Sequence, residues 1–196
     1  MEEYSYQNHS LKIIDKELEI DFQENFSPVR IPEGAKNKQI LKDDHILYIH
    51  KNHEGELEYA IFKDGEFNGE YQLTYPNGKI KLHCFYNWGK LHGPSTFYNQ
   101  KGEVLTKSWH ILGKQTGKCR WYYNSGKAYS VQRYIDDKWH GKQEYWYENG
   151  VLKTVMEYTH GEIDGMVKLY YPTGKTKRSL EFSKGTFVKE VSPSIK

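Results

Sequence analysis

The sequence has little of what most enzymes and extracellular domains of its size require. Only two of its 196 residues are cysteines, Cys84 and Cys119, too few and too irregularly placed for a disulfide framework or a zinc site. It has no phosphate-binding loop, no Gly-x-Ser-x-Gly and no His-Glu-x-x-His. These absences predict a protein that is not an enzyme and needs no metal or cofactor.

Targeting signals are also missing. The N-terminus has no basic segment followed by an apolar stretch, and no apolar run approaches the length of a membrane span. The two cysteines are typical of reduced, cytosolic thiols. We therefore expect a cytoplasmic protein. A peripheral membrane location and export without a classical signal peptide stay open as alternatives.

The side chains available for a core are unusual. Apolar residues make up only 37% of the chain, yet 15% of its residues are aromatic, with 17 tyrosines and 5 tryptophans. Tyrosine and tryptophan combine an apolar ring with a polar tip, so they suit a thin structure whose core lies close to water.

The charge is divided unevenly along the chain. Residues 1–64 contain 8 Lys/Arg and 14 Asp/Glu, a net charge of −6, whereas residues 65–196 contain 20 and 12, a net charge of +8. The acidic and basic parts can attract each other, or the basic part can attract an anionic partner. Glutamates dilute the basic part, so nucleic acid is not expected as a partner.

Glycines recur at a constant interval along most of the chain. Three phased series are present: Gly69, Gly93, Gly117, Gly141 and Gly165; Gly78, Gly102, Gly126, Gly150 and Gly174; and Gly65, Gly89, Gly113, Asp137, Gly161 and Gly185. An internal repeat of this length indicates stacked supersecondary units. Asp137, the one exception, is a residue type that tolerates a positive φ, so it can take the place of a glycine there.

Each repeat predicts one β-hairpin. In the first repeat, a strand over residues 70–75 ends at the turn 76–78, Pro-Asn-Gly, and a second strand follows over residues 80–86. Turns ending in Asn-Gly or Ser-Gly between β-rich runs are strong hairpin signals. A linking turn of the form Gly-Lys-x-x-Gly, as in residues 89–93, leads to the next hairpin. The sequence therefore predicts an all-β fold, an elongated single-sheet antiparallel meander of stacked 24-residue hairpins.

The repeats also set the predicted domain boundaries. Five repeats and the start of a sixth occupy residues 65–190, followed by a tail at 191–196. Residues 41–64 are interpreted as a degenerate repeat, as is common for units that cap a stack. Residues 1–40 are predicted to be an acidic cap and linker, in which residues 18–22 alternate like a further strand.

Alternation within the strands predicts an inner and an outer face. One column is always apolar and is expected inside: Leu73, Phe97, Trp121, Tyr145 and Leu169. The column before it is always polar and is expected in solvent: Gln72, Thr96, Arg120, Glu144 and Lys168. In the second strand, Ile80 and Tyr86 are expected to share a face.

A mostly aromatic column falls on the predicted solvent face. Its members are Thr74, Tyr98, Tyr122, Trp146 and Tyr170. Neighbouring exposed rings form a platform of the kind enriched at protein interfaces. The alternative is cross-strand stacking that only stabilises the sheet. We predict the four aromatic members, Tyr98, Tyr122, Trp146 and Tyr170, as protein-binding residues.

Lysines recur at both kinds of turn. Lys90, Lys114 and Lys138 follow the linking glycine or aspartate, and Lys79, Lys127 and Lys175 follow the hairpin turn. The two sets are therefore expected along opposite edges of the sheet. Within each set, lysines of successive repeats are expected about 10 Å apart. Charges at that spacing favour an anionic lipid surface or an acidic protein over a small ligand. Solvated turn lysines without a partner are the alternative.

The repeat resembles a known family. The phased pattern Tyr-x-Asn-Gly-Lys, then Tyr-x-x-Gly-Lys-x-x-Gly, resembles the MORN repeat, and segments 75–79 and 88–93 carry the match best. It is similar in particular to the bacterial 24-residue variant found in YwqK-type antitoxin proteins. The resemblance covers residues 65–185, and residues 41–64 loosely. The chain departs from the pattern at Asn99, which replaces the tyrosine before the turn, and at Glu103 and Val151, which replace the lysine after it.

The resemblance is specific for fold and not for function, because such repeats serve in scaffolding, membrane apposition, substrate positioning and supposed antitoxin roles. Our leading hypothesis is a non-catalytic scaffold that binds another protein through the aromatic column. Peripheral binding to anionic lipid through the lysines competes with it, and toxin neutralisation is implied by the resemblance alone. An exposed sheet edge predicts that a homodimer can form.

Overall fold

The structure, a computed structural model, describes residues 3–6, 9–14, 19–20 and 38–191. Three short strands form one antiparallel sheet in the order β1-β2-β3: β1 (Glu3–Tyr6), β2 (His9–Ile14) and β3 (Glu19–Ile20). β3 includes part of the strand predicted at 18–22. A linker was predicted over residues 23–40, but residues 38–40 form a strand of the main sheet. Residues 23–37 of that linker and tail residues 192–196 lie outside the described residues.

The main sheet begins with β4 (Lys38–Ile40) and a 3-10 turn at Lys42–Asp44. Its further strands are β5 (Ile46–Lys51), β6 (Leu57–Lys63), β7 (Glu66–Thr74), β8 (Ile80–Asn87), β9 (Lys90–Tyr98), β10 (Val104–Ile111), β11 (Lys114–Gln115), β12 (Gly117–Tyr122), β13 (Ala128–Ile135), β14 (Lys138–Trp139), β15 (Gly141–Trp146), β16 (Leu152–Thr159), β17 (Glu162–Ile163), β18 (Gly165–Tyr170), β19 (Thr176–Ser183) and β20 (Thr186–Glu190).

Every described pairing in this sheet is antiparallel and follows chain order. β11 and β12 are two parts of one strand, since both pair with β10, and the same holds for β14 with β15 and for β17 with β18. The predicted all-β antiparallel hairpin meander is confirmed. β5 and β6 form a hairpin where the degenerate repeat was predicted.

The linking turns join each repeat to the one before it. In the turn between β8 and β9, Trp88 and Gly89 have φ of 46° and 70°, the left-handed conformation that two-residue hairpin turns require. Asp137 has φ of 67°, which confirms that it substitutes for glycine. The Gly89 amide donates a hydrogen bond to the Phe67 carbonyl at 2.8 Å, and Phe67 lies just after the preceding linking turn. Equivalent bonds follow in Gly113 to Leu91, Asp137 to Gln115, Gly161 to Trp139 and Gly185 to Ile163.

The tyrosine before the hairpin turn joins neighbouring repeats at the opposite edge. The Tyr75 hydroxyl donates to the Tyr98 carbonyl at 2.8 Å, 23 residues ahead. Tyr123 donates to the Trp146 carbonyl at 2.8 Å and Tyr147 to the Tyr170 carbonyl at 2.9 Å. Asn99, at the repeat that lacks this tyrosine, instead accepts bonds from the Lys101 and Glu103 amides within its own turn.

A β-bulge occurs at the same point of each of the five repeats. In the first, Leu73 pairs with Leu82 and Thr74 with Ile80, which leaves Lys81 as the extra residue. The equivalent extra residues are Leu105, Tyr129, Lys153 and Lys177. One extra residue reverses which face the following side chains occupy. The prediction that Ile80 and Tyr86 share a face is therefore wrong, because the bulge lies between them.

Strand register defines two faces of the main sheet. We call the face that carries Tyr98, Tyr122, Trp146 and Tyr170 the front face, and the face that carries Phe97, Trp121 and Tyr145 the back face. The assignment follows from cross-strand pairs, which place directly opposed side chains on the same face. Phe97 and Trp121 both pair with Thr106, and Thr96 and Arg120 both pair with Lys107.

The predicted division into a buried inner face and an exposed outer face is wrong. On the back face, which was expected inside, Phe97 and Trp121 are 44% and 43% exposed. On the front face, which was expected in solvent, Gln72 is 3% exposed. Several of the most buried back-face residues are small, among them Cys84 at 1% and Ser130 at 0%, because larger neighbours cover them.

The front face is most buried near the start of the main sheet. Leu47, Ile49 and Tyr59 form a buried cluster there, against which Leu57 and Ile61 pack. These residues come from β5 and β6, so the degenerate repeat has a core of its own.

The inter-repeat tyrosine bonds lead to a test of how the stack is held together. We expect Tyr123→Phe to lower the free energy of unfolding by about 1 kcal/mol, because it removes one hydrogen bond and leaves the Trp146 carbonyl without that donor. Urea denaturation followed by circular dichroism measures the change. Tyr129→Phe is the control and should change stability by less than about 0.5 kcal/mol, since Tyr129 is 37% exposed. Equal effects of the two variants would contradict the assignment.

Candidate interaction surfaces

The predicted front-face aromatic column is a real row of side chains. Tyr98 pairs with Val104, Tyr122 with Ala128 and Trp146 with Leu152, so each ring lies beside the hairpin turn of its repeat. All four aromatic members, including Tyr170, are half-buried. Partial burial raises the pKa of the Tyr98 hydroxyl. The four rings are thus built into the sheet more deeply than a fully exposed platform would be.

A second row crosses the back face and contains the more exposed rings. We call it the back row. Cross-strand pairing orders its members along the sheet as Leu73, Leu82, Phe97, Thr106, Trp121, Ser130, Tyr145, Thr154 and Leu169. Across its middle, large side chains alternate with small ones, and the small residues Thr106 and Ser130 are buried. Sequence reasoning found the large members but placed them inside.

Apolar pairs flank the linking turns on the same back face. Phe62 pairs with Phe67, Tyr134 with Trp139, and Phe182 with Phe187. The Phe62 and Phe67 ring centroids are 4.5 Å apart, and Phe67 reaches Tyr86 of the next strand at 5.0 Å. Trp139 meets Tyr158 edge to face at 4.9 Å. These contacts stabilise neighbouring repeats against each other. Their recurrence at the repeat interval was the signal that could have identified them.

The predicted lysines lie at the two turn edges, and several have structural contacts. At the linking edge, the Lys90 stem lies against Gly113 and the Lys138 stem against Gly161, while Lys114 Nζ is 3.5 Å from an Asp136 carboxylate oxygen. At the hairpin edge, Lys79 Nζ donates to the Lys101 carbonyl at 2.6 Å. All six predicted lysines, including Lys127 and Lys175, are exposed.

Three further lysines were missed by sequence reasoning. Lys81, Lys153 and Lys177 are bulge residues, and their ammonium groups lie 5.7, 5.5 and 5.7 Å from the ring centroids of the tyrosines that precede the turns. Those tyrosines are Tyr75, Tyr147 and Tyr171. Cation–π contacts at this distance stabilise the turn region modestly at exposed sites. The signal was a lysine recurring at a fixed distance after the tyrosine.

The front face contains two ionic clusters. Glu144 contacts Lys142 Nζ at 2.7 Å and Arg133 at 3.1 Å. Partial burial alone would raise the pKa of Glu144, but the hydrogen bonds from Lys142 and Arg133 outweigh it and hold that pKa below its usual range. In the first repeat, Glu70 Oε1 lies 2.8 Å from His83 Nε2, and both side chains are buried.

The histidines and cysteines serve structure. His92 Nδ1 accepts from the Leu112 amide and His140 Nδ1 from the His160 amide, each at 3.2 Å and 20 residues ahead. Burial raises the pKa of Cys84 to about 12 and of Cys119 to about 11, so both remain neutral thiols.

Within residues 38–191, no group of three or more His, Cys, Asp or Glu side chains is arranged to hold a metal ion. Nor does that part of the chain contain a helix long and apolar enough to cross a membrane.

The stacked hairpins define a β-hairpin repeat protein. Three segments match the MORN repeat variant model, residues 67–87, 139–160 and 163–184, and each match spans a single hairpin. No curated protein matches the chain. These three matches support a MORN-repeat protein. Such repeats suggest a scaffold for protein or membrane interaction, and the family is generally non-catalytic.

The Glu144 cluster predicts a pH dependence of stability. Because the folded-state pKa of Glu144 is lowered, its ion pairs stabilise the fold above the unfolded pKa of about 4.3, and this contribution is lost as the pH falls through the folded pKa. Glu144→Gln should cost about 1 kcal/mol at pH 7 and progressively less below about pH 4.

Urea denaturation between pH 7 and pH 3 measures this difference. Glu148→Gln, at an exposed turn, is the control and should change stability by less than about 0.5 kcal/mol at pH 7. A cost of Glu144→Gln that stays constant over the whole pH range would show that its carboxylate does not act through charge.

Proposed function

We propose that this chain is a non-catalytic scaffold that docks another protein on the back face of its sheet. The observation that carries the proposal is the exposure of Phe97 and Trp121, at 44% and 43%, in one row of a regular sheet. Large exposed aromatic side chains in a contiguous patch are typical of protein interaction sites.

The back row has the geometry of a rigid docking strip. Phe97 and Trp121 lie two strands apart, about 10 Å, and the backbone of Thr106 between them fixes that spacing. Thr106 and Ser130 are small and buried, so the larger rings beside them form the exposed part of the row. A pre-ordered surface loses little conformational entropy when it binds, which favours affinity.

The front-face aromatic column is the second candidate for the docking face. Tyr98, Tyr122, Trp146 and Tyr170 lie in line with the same spacing, but all four are half-buried and offer less ring surface. Either face supports the same function, a protein scaffold without catalysis. Toxin neutralisation is a special case of such docking, and it is supported only by the resemblance to YwqK-type antitoxin proteins.

Adjacent residues on opposite faces allow the two surfaces to be compared directly. Affinity capture from native lysate would use the wild type, a back variant with Phe97→Ser and Trp121→Ser, and a front variant with Tyr98→Ser and Tyr122→Ser. We expect the wild type and the front variant to retain the same partner at low and high salt, and the back variant to lose it, because apolar contacts resist salt. Circular dichroism and thermal unfolding check that each variant is folded.

The alternative outcomes separate the hypotheses. Loss of the partner from the front variant alone would move the docking face to Tyr98, Tyr122, Trp146 and Tyr170. Retention by both variants, or no specific partner for the wild type, would overturn docking on either sheet face.

Peripheral binding to anionic lipid is the competing proposal, and exposure of all six predicted lysines supports it. It can be tested by co-sedimentation with phosphatidylserine vesicles, using phosphatidylcholine vesicles as the control. If the lysines bind lipid, sedimentation should be lost at high salt and in a variant with Lys79, Lys127 and Lys175 changed to Gln. Binding that is equal for both vesicle types would contradict an electrostatic lipid site.

A further inference from the structure

A cavity of about 480 Å³ opens on the back face between β5, β6 and β7. The residues that line it include Tyr48, His50, Glu58, Ala60, Phe62 and Phe67. The volume lies within the range of small-ligand sites. Ala60, which is 2% exposed and sits between Tyr48 and Tyr71 in the register, supplies a small side chain where a larger one would fill the space.

Aromatic rings form much of the cavity wall. Tyr48 meets Phe62 edge to face at 5.3 Å, and Phe62 lies 4.5 Å from Phe67 between centroids. Tyr71 continues the group, 5.8 Å from Phe67. The face of an aromatic ring carries the negative quadrupole potential that attracts organic cations, whereas its edge is positive.

One carboxylate belongs to this aromatic surround. Glu58 lines the cavity, and the Tyr71 hydroxyl donates to its Oε1 atom at 2.8 Å. This bond fixes the carboxylate, and burial together with Glu58 raises the pKa of the Tyr71 hydroxyl. His50 pairs with Glu58 across β5 and β6 and is the only basic side chain among the lining residues that the structure describes. A fixed carboxylate within an aromatic wall is suited to a cation that is partly apolar.

We propose that this cavity binds an alkylammonium cation, namely the side-chain ammonium group of a lysine or methylated lysine presented by a peptide. The carboxylate of Glu58 supplies the opposite charge, and Tyr48, Phe62 and Phe67 surround the apolar stem and methyl groups. A metal ion fits less well, because the described lining residues provide one carboxylate and one imidazole among apolar groups. This inference does not depend on docking at Phe97 and Trp121.

The cavity nevertheless lies where a docked protein could use it. Glu58 pairs with Leu73, the first member of the back row, so the two surfaces are continuous. A partner that covers the back row could insert a lysine side chain into the cavity as a specificity contact. The two sites can be tested separately, since a small cation probes the cavity alone.

The probe is Nα-acetyl-Nε-trimethyllysine methylamide, and its neutral counterpart carries a tert-butyl group in place of the trimethylammonium group. Titrations are followed by two-dimensional amide NMR of the full chain. We expect saturable shifts centred on Ala60, Gly65 and their neighbours. The neutral isostere should bind at least about tenfold more weakly, because it keeps the shape and loses the charge.

Matched variants locate the interaction. Glu58→Gln should weaken trimethyllysine binding at least about fivefold, and Tyr71→Phe should weaken it less, because it keeps the ring and releases the carboxylate. Glu54→Gln, at an exposed turn position, should leave the affinity unchanged. The amide spectrum of each variant shows whether it is folded, so a loss of binding that is caused by unfolding is recognised. If Glu58→Gln does not fold, Tyr71→Phe provides the second test of the carboxylate's role.

Three results would overturn the proposal. They are equal binding of the charged and neutral probes, unchanged affinity in folded Glu58→Gln, and shifts centred away from β5, β6 and β7. None of them bears on partner capture by the back row, which the Phe97→Ser and Trp121→Ser variant tests independently.

Discussion

The stack depends on one kind of hydrogen bond, which the backbone amide of each linking turn from Gly89 onward donates to a carbonyl at the linking turn before it. It fixes the turn of one repeat on the strand that opens the previous one, as in Gly89 to Phe67. The donor must sit in the left-handed region, which is why glycine or Asp137 occupies it. Once the turns are stacked, the tyrosine hydroxyls at the other edge come within reach of carbonyls one repeat ahead. The two edges are thereby held at the same spacing.

That spacing gives both faces their repetitive surfaces. A side chain at one repeat position recurs about every 10 Å along the sheet, so a single favourable residue type becomes a row. The chain departs from the pattern mainly at its N-terminal end, where the degenerate repeat has its own buried cluster on the front and a cavity on the back. Regular repeats provide an extended surface, and the atypical repeat provides a concave site.

The sequence predicted the architecture well and the surfaces less well. The phased glycines and the Asn-Gly turns identified the hairpins, because backbone conformation at a turn depends on few residues. The exposure of Phe97 and the burial of Gln72 depend on what covers each face, and alternation carries no such information. The bulge at Lys81 was missed for a related reason, since an extra residue inside a strand leaves no mark comparable to a turn glycine. The cavity beside Glu58 required the register of β5, β6 and β7, which no single segment reveals.

Chain-order pairing has a consequence for how the protein is made. Each strand of the main sheet is bonded to the strand that precedes it in the chain, so no hairpin must wait for a distant segment before it can pair. A nascent chain emerging from the ribosome can therefore add one hairpin at a time to the completed part of the sheet, as expected for contacts that stay close in sequence. During synthesis the growing end always presents an unpaired strand, and the next repeat to emerge covers it.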